Sequence, residues 1–147
     1  MDFANDVRLH IFETAAATGT IPQPPAIAQS LHRSEEDVRV ALKQLATARI
    51  IVLAPGDANI WIAAPFCAVP SRFHVDVDGK LYNGICIWDA LGIIAILGKR
   101  HGSVRTSCGD CGEPLHLGVA DGRLTRNEGI IHFGVPARNW WDNIGFT

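Results

Sequence analysis

Cys86 and Asp89 are the two side chains whose types and spacing point to a specific chemistry. They lie three residues apart in a predicted helix, so both side chains would fall on one face of it. If Cys86 lies in the first turn, free N–H groups there favour a thiolate, whereas burial raises the pKa of a thiol and of a carboxyl. Such a pair suits soft-metal binding coupled to proton transfer. From the spacing alone we favour the plainer alternative, a buried cysteine beside a helix-capping aspartate.

Cys108 and Cys111 form a Cys-x-x-Cys pair in a glycine-rich stretch that predicts a turn. A structural zinc ion needs four ligands, and Cys67 and Cys86 are the other cysteines that could complete such a site. A thioredoxin-type site would place the pair at the start of a helix, which the flanking glycines disfavour. The pair indicates metal or redox chemistry without deciding between them.

Composition limits the classes to which this chain of 147 residues can belong. It is 48% hydrophobic and 19% charged, which excludes a disordered chain, and a formal charge of −2 offers no basic surface for nucleic acid. No basic segment precedes an apolar run at the start, and the most apolar stretch is too short to span a bilayer, so no membrane association is expected. Four cysteines are too few for a disulfide scaffold. We therefore expect a cytoplasmic protein with reduced thiols.

Residues 1–64 are predicted to form a winged-helix-like helical subdomain. Apolar residues recur at helical spacing in three segments, with Gly19 at the end of the first and Ser34 as the N-cap of the third. Strand-like residues 50–53 and 60–63 then flank a turn signal that predicts a hairpin. The third helix begins with three carboxylates, so we favour a structural role for this subdomain over DNA binding.

Residues 65–147 are predicted to form the second part of an α+β protein, a mixed-sheet core domain with one buried helix. The helix is expected at 85–97, and Asp78-Gly79 predicts a hairpin. The aromatic segment 136–142 is expected to pack in the core, with the wall of an apolar ligand site as the alternative. Strands are expected at 73–77, 81–82, 104–107, 115–119, 123–125 and 130–133.

Several motifs taken together resemble the organomercurial (alkylmercury) lyase family. The helices of the first part also resemble the winged-helix-like domain of that family, so the similarity covers nearly the whole chain. The matching stretches are Ala-Pro-Phe-Cys-Ala-Val-Pro at 64–70, Cys-Ile-Trp-Asp-Ala-Leu-Gly-Ile at 86–93, Thr-Ser-Cys-Gly-Asp-Cys-Gly-Glu-Pro at 106–114 and His-Phe-Gly-Val-Pro-Ala-Arg-Asn-Trp-Trp-Asp at 132–142.

The resemblance implies cleavage of a carbon–mercury bond by protonolysis, without an organic cofactor. Family enzymes use two cysteines and an aspartate, and Cys86 matches the first cysteine and Asp89 the aspartate. The thiolates bind mercury, the carboxyl delivers a proton to the leaving carbanion, and cellular thiols extract the Hg(II) product. The resemblance reverses our preference about this pair. Cys108 resembles a further family cysteine with a structural role.

One departure from the family pattern concerns its second catalytic cysteine, which lies beyond a segment like residues 140–147. The sequence ends at Thr147, so we expect a C-terminally short homologue, with Cys111 and Cys67 as substitute thiols and with homodimerisation covering the open sheet edge. The second hypothesis is a non-catalytic protein that binds Hg(II), Cu or Zn through Cys86, Cys108 and Cys111. The third, which we favour least, is a metal-responsive winged-helix regulator.

Overall fold

The structure, a computed structural model, describes residues 2–56, 58–126 and 129–145 and begins with three helices. Gly19 ends the first helix with a φ of 79°, in the left-handed region that favours glycine. The Ser34 side chain caps the third by accepting a hydrogen bond from the Asp37 N–H at 3.1 Å. Both predicted helix ends are thereby confirmed. The helices are α1 (Phe3–Thr18), α2 (Pro24–Leu31) and α3 (Glu35–Thr47).

A small antiparallel sheet of three strands follows α3, in the order β1-β2-β3. It confirms the predicted hairpin, although Asp57 of the predicted turn lies outside the described residues. The Gln23 side chain ties this sheet to the start of α2, because its amide both donates to the Ile60 carbonyl (3.1 Å) and accepts from the Ile60 N–H (2.9 Å). The strands are β1 (Val52–Leu53), β2 (Ile60–Ala63) and β3 (Phe66–Cys67).

The second sheet has five strands in the order β5-β4-β6-β7-β8. The predicted α+β class is confirmed, but every pairing between the described strands is antiparallel, so the sheet is not mixed as the sequence suggested. The only crossover within it, from β5 to β6 in the described chain, runs through a helix, α4. The elements are β4 (His74–Val77), β5 (Lys80–Asn83), α4 (Ile87–Ile96), β6 (Gly102–Ser107), β7 (Pro114–Ala120) and β8 (Arg123–Leu124).

Helix α4 is the predicted core helix, and it is buried on one face. Ala90, Ile93 and Ile94 are buried, whereas the Trp88 side chain on the other face is 66% exposed. The reason is that α4 packs against β4 and β6, and no described element covers its outer face.

One continuous apolar core joins the three N-terminal helices to α4 and both sheets. Side chains of the β4–β5 hairpin also bind the end of α1: the Tyr82 hydroxyl donates to the Ala16 carbonyl at 2.9 Å, and the Lys80 ammonium donates to the Ala17 carbonyl. The first hairpin of the sheet that carries the site is therefore held to the C-terminal end of α1 by two side-chain hydrogen bonds. None of the helices in the described residues has both the length and the apolar character of a membrane span.

Two predictions for the C-terminal stretch are wrong. Residues 130–133 form no strand, and residues 136–142 do not pack in the core but form an exposed 3₁₀ helix (Ala137–Asp142). The aromatic rings of this segment instead make contacts near the surface. Trp140 packs against Phe133 with 5.0 Å between ring centroids, and the Arg49 guanidinium lies 5.1 Å from the Trp141 ring.

Candidate active site

Cys86 is the N-cap of α4. The sequence had suggested instead that it lies in the first turn of this helix. Its backbone is extended (φ −138°), and its sulfur accepts a hydrogen bond from the Asp89 N–H at 3.5 Å. The thiol in turn donates to Oδ2 of Asp89 at 2.9 Å. The capping residue is therefore the cysteine, and the aspartate is free to take part in a thiol–carboxyl hydrogen bond.

The surroundings of Cys86 and Asp89 favour the protonated forms of both side chains. Burial, followed by the hydrogen bond to Asp89, raises the pKa of Cys86 to about 11, although backbone N–H groups oppose the shift. Burial also raises the pKa of the Asp89 carboxyl, and its hydrogen bonds with Cys86 act in the opposite direction. At neutral pH the thiol is protonated and its proton points at a carboxyl that binds protons more readily than an exposed aspartate.

Gly84 sets the position of this pair. Its N–H donates to the Phe73 carbonyl (2.9 Å), its carbonyl accepts from the Ser71 hydroxyl (2.7 Å), and it forms an isolated bridge with Phe66. A Cβ added to Gly84 would lie 2.9 Å from the N and Cα atoms of Ala90. The first turn of α4 can approach the end of β5 this closely only because residue 84 has no side chain.

Cys86 lines a cleft of about 1020 Å³ together with Cys67 of β3 and Cys108. Its walls are largely apolar, and Arg72 brings a positive charge to it. Asp89 does not line the cleft and is connected to it through the Cys86 sulfur. The arrangement can bind a thiophilic ligand at a sulfur whose proton has a neighbouring acceptor.

The predicted Cys-x-x-Cys turn joins β6 to β7. Hydrogen bonding with the backbone of Cys111 and Asp110 and with the Cys111 side chain lowers the pKa of Cys108, while burial and the charge of Asp110 act in the opposite direction. Cys108 is partly exposed in the cleft, whereas Cys111 is exposed and does not line it. Cys67 differs again, since burial raises its pKa.

The structure thus brings Cys67, Cys86 and Cys108 to one cleft and leaves Cys111 beside Cys108 outside it. Within the described ranges, no group of three or more His, Cys, Asp or Glu side chains is arranged to hold a metal ion.

Part of the cleft wall was missed by sequence reasoning. Residues 129–134 line the cleft, including Ile131, His132 and Phe133, although residues 130–133 had been predicted to form a strand. The signal that could have identified them is their place in the family-like stretch that begins at His132.

Comparison with known proteins agrees with this architecture. The family model described as alkylmercury lyase matches residues 66–147, which contain Cys86, Asp89, Cys108 and Cys111. A solved structure described as the mercury-bound form of MerB2 superposes with a TM-score of 0.65 at 19% identity, over 86% of this chain and 60% of that chain. The chain thus spans about three-fifths of the length of that protein, with which it shares the fold. No curated protein matches the chain significantly. By the match over residues 66–147, the chain belongs to the alkylmercury lyase family.

Proposed function

We propose that this chain cleaves carbon–mercury bonds, releasing a hydrocarbon and Hg(II), with Cys86 as the mercury ligand and Asp89 as the proton carrier. The observation that carries the proposal is the 2.9 Å hydrogen bond from the Cys86 thiol to Asp89 Oδ2 at the wall of the cleft. Family membership supports the reaction type.

The first step is the binding of an organomercury cation at Cys86. A mercury–sulfur bond forms as the thiol proton leaves, and this proton passes along the existing hydrogen bond to Asp89. Burial raises the pKa of Asp89, so the carboxyl can hold the proton while the organic group lies in the cleft. The high pKa of Cys86 does not prevent binding, because the proton has an acceptor in contact.

The second step is proton delivery from Asp89 to the carbon bonded to mercury. The carbon–hydrogen bond forms as the carbon–mercury bond breaks, the hydrocarbon leaves, and Hg(II) remains on the Cys86 sulfur with the Asp89 carboxylate as neighbour. A second thiolate on mercury would increase the electron density on the carbon. Cys67 and Cys108 share the cleft with Cys86 and are candidates for this ligand, and cellular thiols would extract the product.

A second candidate function is non-catalytic binding of Hg(II), Cu or Zn through Cys86, Cys108 and Cys111. The hydrogen bonds that stabilise a Cys108 thiolate favour it, because thiolates bind soft metals. Metal analysis of the purified protein distinguishes the two functions, since stoichiometric zinc would indicate a closed structural site.

The test is turnover of methylmercury with excess thiol, in which methane and Hg(II) are both followed. The proposal expects methane above a thiol-only blank for the wild type and none for Cys86→Ser, which also loses mercury binding. Full activity of Cys86→Ser would refute the assignment of Cys86. Tight Cys86-dependent binding without methane would establish the second candidate function instead.

A further inference from the structure

We propose that the cleft selects organomercurials whose organic group carries a carboxylate, which the Arg72 guanidinium binds while mercury is held at Cys86. This inference rests on the proposed function above, because it names the substrate class of the same site. It adds Arg72 as a residue that determines specificity and Thr106 as a second hydrogen-bond donor. An arylmercury carboxylate, 4-mercuribenzoate, is a simple compound with this chemistry and serves as the probe.

The backbone of Arg72 is fixed beside the strand end that leads to Cys86. The residue before it, Ser71, donates from its hydroxyl to the Gly84 carbonyl at 2.7 Å. The Gly84 N–H donates to the carbonyl of Phe73, the residue after Arg72, at 2.9 Å. Backbones paired in this way lie about 5 Å apart, and Gly84 is two residues before Cys86. Arg72 and Cys86 therefore lie close together in one wall of the cleft.

The Arg72 side chain extends from this wall to the β6–β7 turn. Its Cζ atom lies 5.3 Å from the centre of the Phe73 ring, a contact that restricts the side chain. Its Nη2 atom would lie 3.5 Å from a Cβ built on Gly109, so the guanidinium reaches the turn. An organic group that extends from Cys86 to this guanidinium spans the cleft, whose volume of about 1020 Å³ is far more than a methyl group needs.

The charges that line the cleft favour an anion beside Arg72. Asp110 is the only acidic residue among the described residues of the lining, which also include the cations Arg72 and Arg126. Arg72 takes part in none of the ion pairs found in the described part of the chain. A carboxylate would therefore meet a guanidinium without a competing ion-pair partner there, and the two planar groups can form two parallel hydrogen bonds.

Thr106 supplies a second polar group near the turn. Its hydroxyl oxygen is buried and has no hydrogen-bond partner among the described residues. Thr106 lies two residues before Cys108, and both residues line the cleft. Because a buried hydroxyl without a partner is unfavourable, a carboxylate bound at this side of the cleft would satisfy it as an acceptor.

The remaining walls suit the ring that joins mercury to the carboxylate. They are largely apolar and include Ile85, Leu115 and Phe133, side chains against which an aromatic ring packs favourably. Mercury on one end of the ring binds Cys86, and the carboxylate on the other end binds Arg72. Cleavage then places the proton on the ring carbon that held mercury, so 4-mercuribenzoate yields benzoate and leaves Hg(II) on Cys86.

Binding is tested in Asp89→Asn, so that bound organomercurial is not consumed. Equal amounts of phenylmercury and 4-mercuribenzoate compete for this protein in excess 2-mercaptoethanol, and intact-protein mass spectrometry gives the ratio of the two adducts. Because both compounds exchange from the same uncharged thiol, intrinsic differences between their mercury–sulfur bonds cancel. Only the adduct that is absent after the further change Cys86→Ser is counted, which removes binding at the other cysteines.

Cys86 should prefer 4-mercuribenzoate by about tenfold or more, the gain expected from hydrogen bonds between charged groups. Arg72→Gln should lose most of this preference, and Arg72→Lys should keep part of it, because lysine retains the charge without the planar fork. Arg33→Gln is the matched control, since Arg33 also stacks on a phenylalanine ring, 5.0 Å from that of Phe3, but does not line the cleft.

Thr106→Val removes the hydroxyl, keeps the shape of the side chain and should reduce the preference by a smaller factor. A thermal melt checks that each variant folds, which we expect for Arg72→Gln because Arg72 is exposed. No preference in the Asp89→Asn parent, or a preference that Arg72→Gln retains in full, would overturn the inference. An unchanged preference in Thr106→Val would remove Thr106 from the site.

Turnover separates this inference from the proposed function. With Asp89 restored, benzene from phenylmercury and benzoate from 4-mercuribenzoate are followed, and the ratio of their kcat/KM values should change about tenfold in Arg72→Gln but not in Arg33→Gln. Formation of both products with a ratio that Arg72→Gln leaves unchanged would refute the inference and leave the proposed function standing. Absence of both products would refute the proposed function, while an Arg72-dependent preference in the binding experiment would still assign the selection of a carboxylate to the cleft.

Discussion

The Cys86 thiol donates a hydrogen bond to Asp89 Oδ2 at 2.9 Å, and the Asp89 N–H donates to the same sulfur at 3.5 Å. One sulfur therefore both caps α4 and carries the proton that the proposed protonolysis would use. Because the cap fixes the side chain of Cys86 relative to the first turn, the carboxyl three residues later is held in contact with it. In the proposed function, mercury binding at this sulfur would replace the proton of an existing hydrogen bond.

The pKa shifts predict the order in which the cysteines react with iodoacetamide. Cys108 should react at the lowest pH, because hydrogen bonds to its sulfur lower its pKa. Cys86 should react last, with a rate that increases about tenfold per pH unit until the pH approaches its pKa of about 11, since only the thiolate reacts. Mass spectrometry of each peptide across a pH series measures this. Alkylation of Cys86 before Cys108 at neutral pH would contradict the assigned environments.

Replacing the carboxyl should change the reactivity of the neighbouring thiol. In Asp89→Asn, the hydrogen bond to a carboxylate and its negative charge are both lost, and each raises the pKa of Cys86 in the wild type. The pKa of Cys86 should fall but stay above the ordinary value, because burial is the largest cause of the shift. Faster alkylation of Cys86 at a fixed pH checks the direction, with Cys67 as an internal reference. An unchanged rate would mean that the two groups do not interact in solution.

A side chain at residue 84 should disturb the site. Gly84→Ala places a Cβ 2.9 Å from backbone atoms of Ala90, so α4 must shift, at a cost of about 1–3 kcal/mol in the free energy of unfolding and with a loss of methane formation. Gly92→Ala, within α4, is the control, since nothing lies within 4 Å of its added Cβ. Because alanine has a higher helix propensity than glycine, Gly92→Ala should raise the free energy of unfolding by up to about 1 kcal/mol.

Urea unfolding and the turnover assay together measure both glycine variants. If Gly84→Ala were as stable and as active as Gly92→Ala, the close approach of α4 to the end of β5 would not be what positions Cys86 and Asp89.

The Gln23 side chain should contribute to stability without affecting the chemistry. Gln23→Ala removes the side chain that bonds both the backbone N–H and the carbonyl of Ile60. Ile60 is only 2% exposed, so water replaces these two hydrogen bonds poorly. We expect a loss of about 1–3 kcal/mol in the free energy of unfolding. Gln29→Ala, at an exposed position of α2, should leave stability nearly unchanged. A loss of equal size in both variants would show that the Gln23–Ile60 pair contributes nothing specific.

Sequence patterns correctly predicted the helix ends and the tight turn that depend on a few neighbouring residues. Gly19 and Ser34 act within one helical turn, and the Asp78-Gly79 turn is equally local, since both of its residues have positive φ. The pairing of Cys86 with Asp89 was also predictable, because it lies within one helical turn. The role of Cys86 as N-cap was missed because the helix begins at Ile87, two residues later than predicted, at a point that spacing does not reveal.

The cleft itself was not predictable, because it depends on contacts between distant parts of the chain. Cys67 and Cys108 reach Cys86 only through the meeting of two sheets near Gly84 and the fold of the β6–β7 turn. Residues 130–133 are rich in apolar side chains, yet they line the cleft without pairing as a strand. A short apolar run alone does not show whether the chain packs against a sheet or lines a cleft.

The most direct test of the account is single-turnover formation of hydrocarbon from bound methylmercury by the wild type and by Asp89→Asn, after mercury binding has been shown to be equal in the two proteins. The account predicts methane from the wild type and none above the thiol-only blank from Asp89→Asn, because the amide cannot take the Cys86 proton and deliver it to carbon. Methane from Asp89→Asn at the wild-type rate would contradict the account, since the proton would then come from another source.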